Sequence, residues 1–195
     1  MRVYVIRHGQ SEANLGDYYA GWLPVHLSDK GRRQAENARD QLRGIRMDRV
    51  FCSDLQRAKE TAAILFPDKQ AEPTDALREI GVGKIEGLPI RECEERWPEE
   101  YARAEAEQDF SFFGGESSVQ MRSRIHLFLW QLDKLGAENI AIVGHEGTVR
   151  ETLNFALNQV IPLEHLKIDN ASVSVFEVTE GRWKLLRWNH TGVLA

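Results

Sequence analysis

Two apolar runs, Val3-Tyr4-Val5-Ile6 and Ile140-Ala141-Ile142-Val143, each lead straight to a histidine beside glycine, in Arg7-His8-Gly9 and Gly144-His145-Glu146-Gly147. A run with no polar alternation has no face to turn to water, so each predicts a short strand covered on both sides. Strands of that kind lie in sheets with helices on both faces, and such sheets take ligands at the carboxyl ends of their strands. A single histidine there would be an ordinary structural residue. Two of them, one preceded by arginine, point to a shared anion site.

The rest of the chain alternates between strand and helix signals. Ser28 caps a helix predicted to run to about Arg43, with Ala35, Ala38 and Leu42 on its apolar side. A second strand covers 49–52. Ser53 with Gln56 reads as a capping box opening a helix that Pro67 stops after Phe66. Residues 9–27 read as loop, 77–87 as a glycine-bearing excursion, and 89–108 as a charged helical segment broken near Pro98. Ser117 and Gln120 form another capping box before a helix with Met121, Ile125, Leu129 and Leu132 on one face, which Gly136 ends. A helix at about 148–158 and an antiparallel pair, 172–178 with 183–188, complete the chain. The pattern predicts a single α/β domain over residues 1–195. Its mostly parallel sheet lies between two helical layers, with a small lid inserted at about 77–116.

Composition narrows the partners. A net charge of −5 offers no basic face for nucleic acid, so anion affinity must come from a few local arginines. No apolar run approaches the roughly 20 residues of a membrane span, and the first residues enter a strand without the character of a signal peptide. Cys52 and Cys93 lack the spacing of a zinc site or a disulfide framework. A cytoplasmic protein is expected. The last strand pair either forms a homodimer edge or is covered within the chain.

Arg7, His8, Arg57, Glu79 and His145 all fall on segments that such a sheet gathers at one end, with Asn14 an amide donor nearby. Two guanidiniums with one or two imidazoles suit a tetrahedral dianion, because arginine grips phosphate bidentately and keeps its charge. Neighbouring cations also disfavour imidazolium, which keeps a histidine nucleophilic. A carboxylic acid can then protonate a leaving alkoxide and activate water, help worth roughly 10²–10⁴ in rate. The chain has no HExxH, no pair of DxD carboxylates and no Walker lysine loop, and this chemistry calls for neither metal nor cofactor.

Arg7-His8-Gly9-Gln10-Ser11-Glu12-Ala13-Asn14 resembles the signature of the histidine phosphatase superfamily, to which the cofactor-dependent phosphoglycerate mutases belong. The likeness continues through Gly21-Trp22, Leu27-Ser28 with Gly31, Ser53 to Ala58, Leu77-Arg78-Glu79 with Gly83 and Glu86-Gly87, and Gly144-His145. It implies that His8 forms a phosphohistidine, that Arg7, Arg57 and His145 hold the phosphoryl oxygens, and that Glu79 is the proton donor. Asn14, Gly21 and Trp22 become the substrate-binding candidates.

Departures from the mutase pattern favour hydrolysis of a small phosphorylated metabolite. Where mutases carry Glu-Arg-His-Tyr-Gly, this chain has Glu79-Ile80-Gly81-Val82-Gly83, so Val82 replaces a substrate-binding tyrosine. Gly147 replaces an asparagine, and the lid has only scattered Arg91, Arg96 and Arg103 in place of an arginine pair. A mutase is the alternative reading, followed by a phosphate-binding module without catalysis, which the presence of both His8 and Glu79 disfavours. Phe110, Phe112 and Phe113, with Tyr18, Tyr19 and Trp22, either face an apolar leaving group or simply pack the lid.

Overall fold

The apolar runs form the two central strands of a six-stranded sheet ordered β3-β2-β4-β1-β5-β6, in a computed structural model that describes residues 1–16, 18–162 and 165–192. β1 (Arg2–Arg7) lies parallel to β4 (Asn139–Gly144). β4 is parallel to β2 (Arg49–Ser53), and β2 to the short edge strand β3 (Glu72–Thr74). β5 (Val173–Thr179) runs antiparallel to β1 and hairpins into β6 (Arg182–His190). Five strands therefore share one direction and only β5 is reversed. The hairpin turns through Glu180 and Gly181, both at positive φ.

Each central strand is apolar on both faces because each face meets a helical layer. Tyr4, Ile6, Ala141 and Val143 pack with Ala38 of α2 (Asp29–Gln41) and Ala58, Ala62 and Leu65 of α3 (Gln56–Leu65). Val3, Val5, Ile140 and Ile142 pack against Met121, Ile125 and Leu129 of α6 (Ser118–Leu132) and Val149 and Leu153 of α7 (Glu146–Leu157). The Ser117–Gln120 capping box forms as expected, with Ser117 Oγ accepting from Gln120 N and Gln120 Oε1 accepting from Ser117 N.

Local details differ from the sequence reading. The 9–27 loop contains α1 (Glu12–Gly16), too short to leave a periodic signature. β3 carries Pro73 and only three residues, which suits an edge position but hides it in the sequence. Ser53 does not cap α3. It is the last residue of β2, and Leu55 precedes the helix without a side-chain cap. α7 begins at Glu146 rather than about 148, with Thr148 Oγ1 accepting from His145 N.

The lid contains α4 (Ile90–Arg96) and α5 (Pro98–Glu107), split at Trp97 with Pro98 in the first turn, where its missing N–H costs nothing. It has a small core of its own, formed by Val82, Ile85, Cys93, Tyr101, Ala104, Phe110 and Phe113. Gly83 lets the lid fold back on itself: it sits at φ +64°, and a β-carbon there would meet Phe113 O at 2.1 Å.

Candidate active site

The β1–β4 register builds the site. Arg7 is opposite Gly144, so the next residue of each strand, His8 and His145, emerge side by side. Their ring centroids are 5.1 Å apart at an interplanar angle of 65°. The His8 backbone is tied on both sides: its N–H donates to Gly144 O, and its carbonyl accepts from Ala171 N and Asn170 Nδ2. His8 Nδ1 is 2.6 Å from Gly9 O. A carbonyl only accepts, so Nδ1 carries the proton and Nε2 holds the lone pair. Burial, then Arg57 and Arg7, press the His8 pKa well below its usual 6.5, leaving a neutral ring at neutral pH.

Arg57 extends from the first turn of α3 and is buried. Its guanidinium donates to Gly21 O at 2.9 Å and Leu23 O at 3.3 Å, two of its five N–H groups. Burial lowers its pKa to about 10, so it remains charged at neutral pH. Arg7 bonds Ile168 O and pairs with Glu146 at 2.8 Å. Burial raises the Glu146 pKa, and the Arg7 charge opposes that rise.

His145 lies deeper than the sequence suggested. It is 0% exposed, and among the described residues neither ring nitrogen has a hydrogen-bond partner. Its pKa is also held well below 6.5, by burial first and then Arg57. Burying such polar nitrogens unpaired costs about 1–3 kcal/mol, a cost met here directly behind His8.

Glu79 stands across the cavity. Its Oε1 accepts from Ile80 N at 3.1 Å and its Oε2 from Gly147 N at 3.3 Å. The loop carrying it is held by Arg124 of α6, which donates to the carbonyls of Ala76, Arg78 and Glu79 and forms a two-pronged pair with Glu116. Glu116 in turn accepts from Gly81 N. Glu86 is committed elsewhere as well, its Oε1 accepting from Trp22 N. Trp22 does not line the cavity. Its indole donates to Glu79 O at 2.8 Å and lies under the Arg78 guanidinium, so it braces the acid loop from behind. Gly21 and Asn14 do line the cavity, with Asn14 Oδ1 accepting from Ser11 N and Oγ.

Arg7, His8, Arg57, Glu79 and Glu146 surround a cavity of about 300 Å³, the size of a small-molecule site, whereas His145, expected to hold phosphoryl oxygens, is fully buried and is not among its lining residues. Val82, Gly147, Phe110, Tyr18 and Tyr19 line it, whereas Phe113 is packed in the lid core and Phe112 is exposed. The aromatic cluster therefore divides between the two roles. Glu105, within the stretch read as a charged helical segment, also lines the cavity, as does Arg150 on α7. Neither these two nor Arg124 carries a local sequence signal.

The pattern of the histidine phosphatase superfamily, branch 1, matches residues 3–191. The chain is 34% identical over 194 residues to phosphoglycerate mutase-like protein 4 of Arabidopsis thaliana, covering 95% of this chain and 84% of that protein. It is 29% identical over 186 residues to the adenosylcobalamin/alpha-ribazole phosphatase of Salmonella typhimurium, covering 93% and 92%. The crystal structure of the alpha-ribazole phosphatase from Shigella flexneri superposes with a TM-score of 0.91 at 26% identity, covering 100% of this chain and 99% of that one. With nearly its whole length matched, the chain belongs to the histidine phosphatase superfamily.

Proposed function

We propose that this chain hydrolyses small phosphomonoesters through a phosphohistidine on His8. The observation that carries the reading is the neutral His8 ring, with Nδ1 held by Gly9 O and charged Arg57 and Arg7 beside it. Nε2 attacks phosphorus as the bond to the leaving oxygen breaks, and the Glu79 carboxyl, as general acid, gives that oxygen its proton. Arg57 and Arg7, which line the cavity beside His8, hold the phosphoryl oxygens, where charge spreads in a loose transition state. Glu79, now a carboxylate, takes a proton from water as its oxygen attacks the phosphohistidine. Phosphate leaves with His8 neutral again.

Hydrolysis is favoured over mutase transfer by what lines the leaving-group side. Val82 offers no hydroxyl there, and Gly147 offers no side chain to retain a dephosphorylated intermediate. The test is release of phosphate from an alkyl phosphate, with and without EDTA, in the wild type and His8→Ala. Turnover unaffected by EDTA and lost in His8→Ala is expected; undiminished turnover in His8→Ala overturns the reading. Isomerisation of 3-phosphoglycerate with a bisphosphoglycerate primer, without phosphate release, would establish the mutase instead.

A further inference from the structure

The two arginines beside His8 are held in different ways. Arg57 donates to two neutral carbonyls, Gly21 O and Leu23 O, which leave its charge uncompensated. Arg7 meets a carboxylate instead: its Nη2 lies 2.8 Å from Glu146 Oε2, while its Nη1 donates to Ile168 O. Glu146 is the first residue of α7, directly after His145, and both members of the pair line the catalytic cavity. Neither is sealed away, the Arg7 side chain being 16% exposed and that of Glu146 33%. A phosphoryl dianion entering the cavity therefore finds one edge of the Arg7 guanidinium taken by an anion, and approaches against the charge of that anion.

The groups around the pair set the terms of this competition. Arg7 reaches Glu146 from β1, Glu79 faces it from the acid loop, and Arg150 lies one turn further along α7. Arg7 in turn faces His8, His145 and Arg57, and also Asp169 from the loop before β5, whose carboxylate is held by Asn189 and Lys167. Burial raises the Glu146 pKa against the pull of Arg7, and the Glu79 charge adds to the rise. A dianion bound at Arg7 is a further negative neighbour and raises the proton affinity of Glu146 again. By linkage, a proton on Glu146 tightens the dianion by the same factor.

Resting on the hydrolase reading above, we propose that Glu146 is a positioning residue acting through Arg7: as a carboxylate it occupies the guanidinium and opposes a phosphoryl dianion, and on taking up a proton it releases Arg7 to the phosphoryl oxygens, so the site fills more readily in mild acid. Inorganic sulfate is the probe, because it stays a dianion throughout this range. Its dissociation constant is measured by titration calorimetry on the full chain at about pH 7.5 and about pH 5.5. The wild type is expected to bind sulfate about five- to tenfold more tightly at the lower pH, an ordinary size for two ligands coupled through one group. Glu146→Gln should bind it about tenfold more tightly than the wild type at the higher pH and vary less than about threefold across the interval. Glu146→Ala carries the same expectation if the glutamine variant does not fold. Glu79→Gln should keep most of the wild-type dependence, which separates the two carboxylates. Weaker sulfate binding in Glu146→Gln would mean that the pair presents Arg7 to the anion, and it overturns the inference. So does a wild-type affinity that ignores pH, a dependence that survives in Glu146→Gln, or one that disappears in Glu79→Gln. All of these leave the hydrolase reading intact. A wild type that releases no phosphate from an alkyl phosphate and forms no phosphohistidine removes the hydrolase reading and this inference with it.

Discussion

Gly147→Ala tests how tightly the acid is positioned. A β-carbon at Gly147 would fall 2.3 Å from Glu79 Oε1, 2.9 Å from Met121 Sδ and 3.1 Å from Met121 Cε. Ordinary contact begins near 3.4 Å, so the carboxylate must retreat by about 1 Å. The Gly147 N–H already reaches Oε2 at 3.3 Å, and the same retreat breaks that bond. Alanine is favoured over glycine in a helix by at most about 1 kcal/mol, which offsets part of the lost contact. A misplacement of about 1 Å at a reacting group costs on the order of 10² in rate. The variant is therefore expected to stay within about 4 °C of the wild-type Tm while kcat for an alkyl phosphate falls about a hundredfold. Steady-state phosphate release gives kcat and KM separately. Repeating the substitution in a Glu79→Gln background isolates the route of the effect, because a change acting through the Glu79 carboxylate adds little once that carboxylate is gone. Wild-type kcat in Gly147→Ala, or an equal hundredfold loss in both backgrounds, refutes the argument.

Arg124→Met removes bonds to three carbonyls and leaves the partly buried Glu116 carboxylate without its cation. A loss of about 3 kcal/mol in urea unfolding is expected, together with a fall in kcat as the Glu79 loop loosens; a loss below about 1 kcal/mol contradicts this. His8 and His145 both have folded pKa values well below 6.5, so the unfolded chain binds their protons first. Stability should consequently fall as pH drops below about 6.5, by up to about 1.4 kcal/mol per unit for each histidine. Urea midpoints at about pH 7 and pH 5.5 measure the slope, which should flatten in His145→Leu; a wild-type stability flat across that interval contradicts the prediction.

The sheet and the two histidines were legible because one pattern encodes both. An apolar run without alternation specifies burial on two faces, and the residue that follows it must emerge at the sheet end. Arg57 was legible for the same reason, one turn beyond a strand. Features made by distant segments meeting were not. Arg124 reads as one more polar residue of an amphipathic helix, and only the folded loop brings three carbonyls to it. Glu105 sits in a run of acids whose partners become visible only when the lid is closed against the first loop. Trp22 reads as a substrate-binding candidate, but its indole is turned to the Glu79 loop and does not line the cavity, since motif spacing does not say which way an indole points. The apparent Ser53 cap failed because β2 continues through that residue and buries it in the sheet.

The separate apolar interior of the lid has an evolutionary consequence. Val82, Ile85, Cys93, Tyr101, Ala104, Phe110 and Phe113 hold the insertion together largely among themselves, whereas the His8 backbone is fastened outside the insertion, to Gly144 at the end of β4 and to Ala171 just before β5. Mutations that reshape the insertion can accumulate with little penalty to the sheet, so new substrate preferences can be sampled while the phosphoryl chemistry is inherited unchanged. Transplanting the segment between relatives is the laboratory counterpart of that drift.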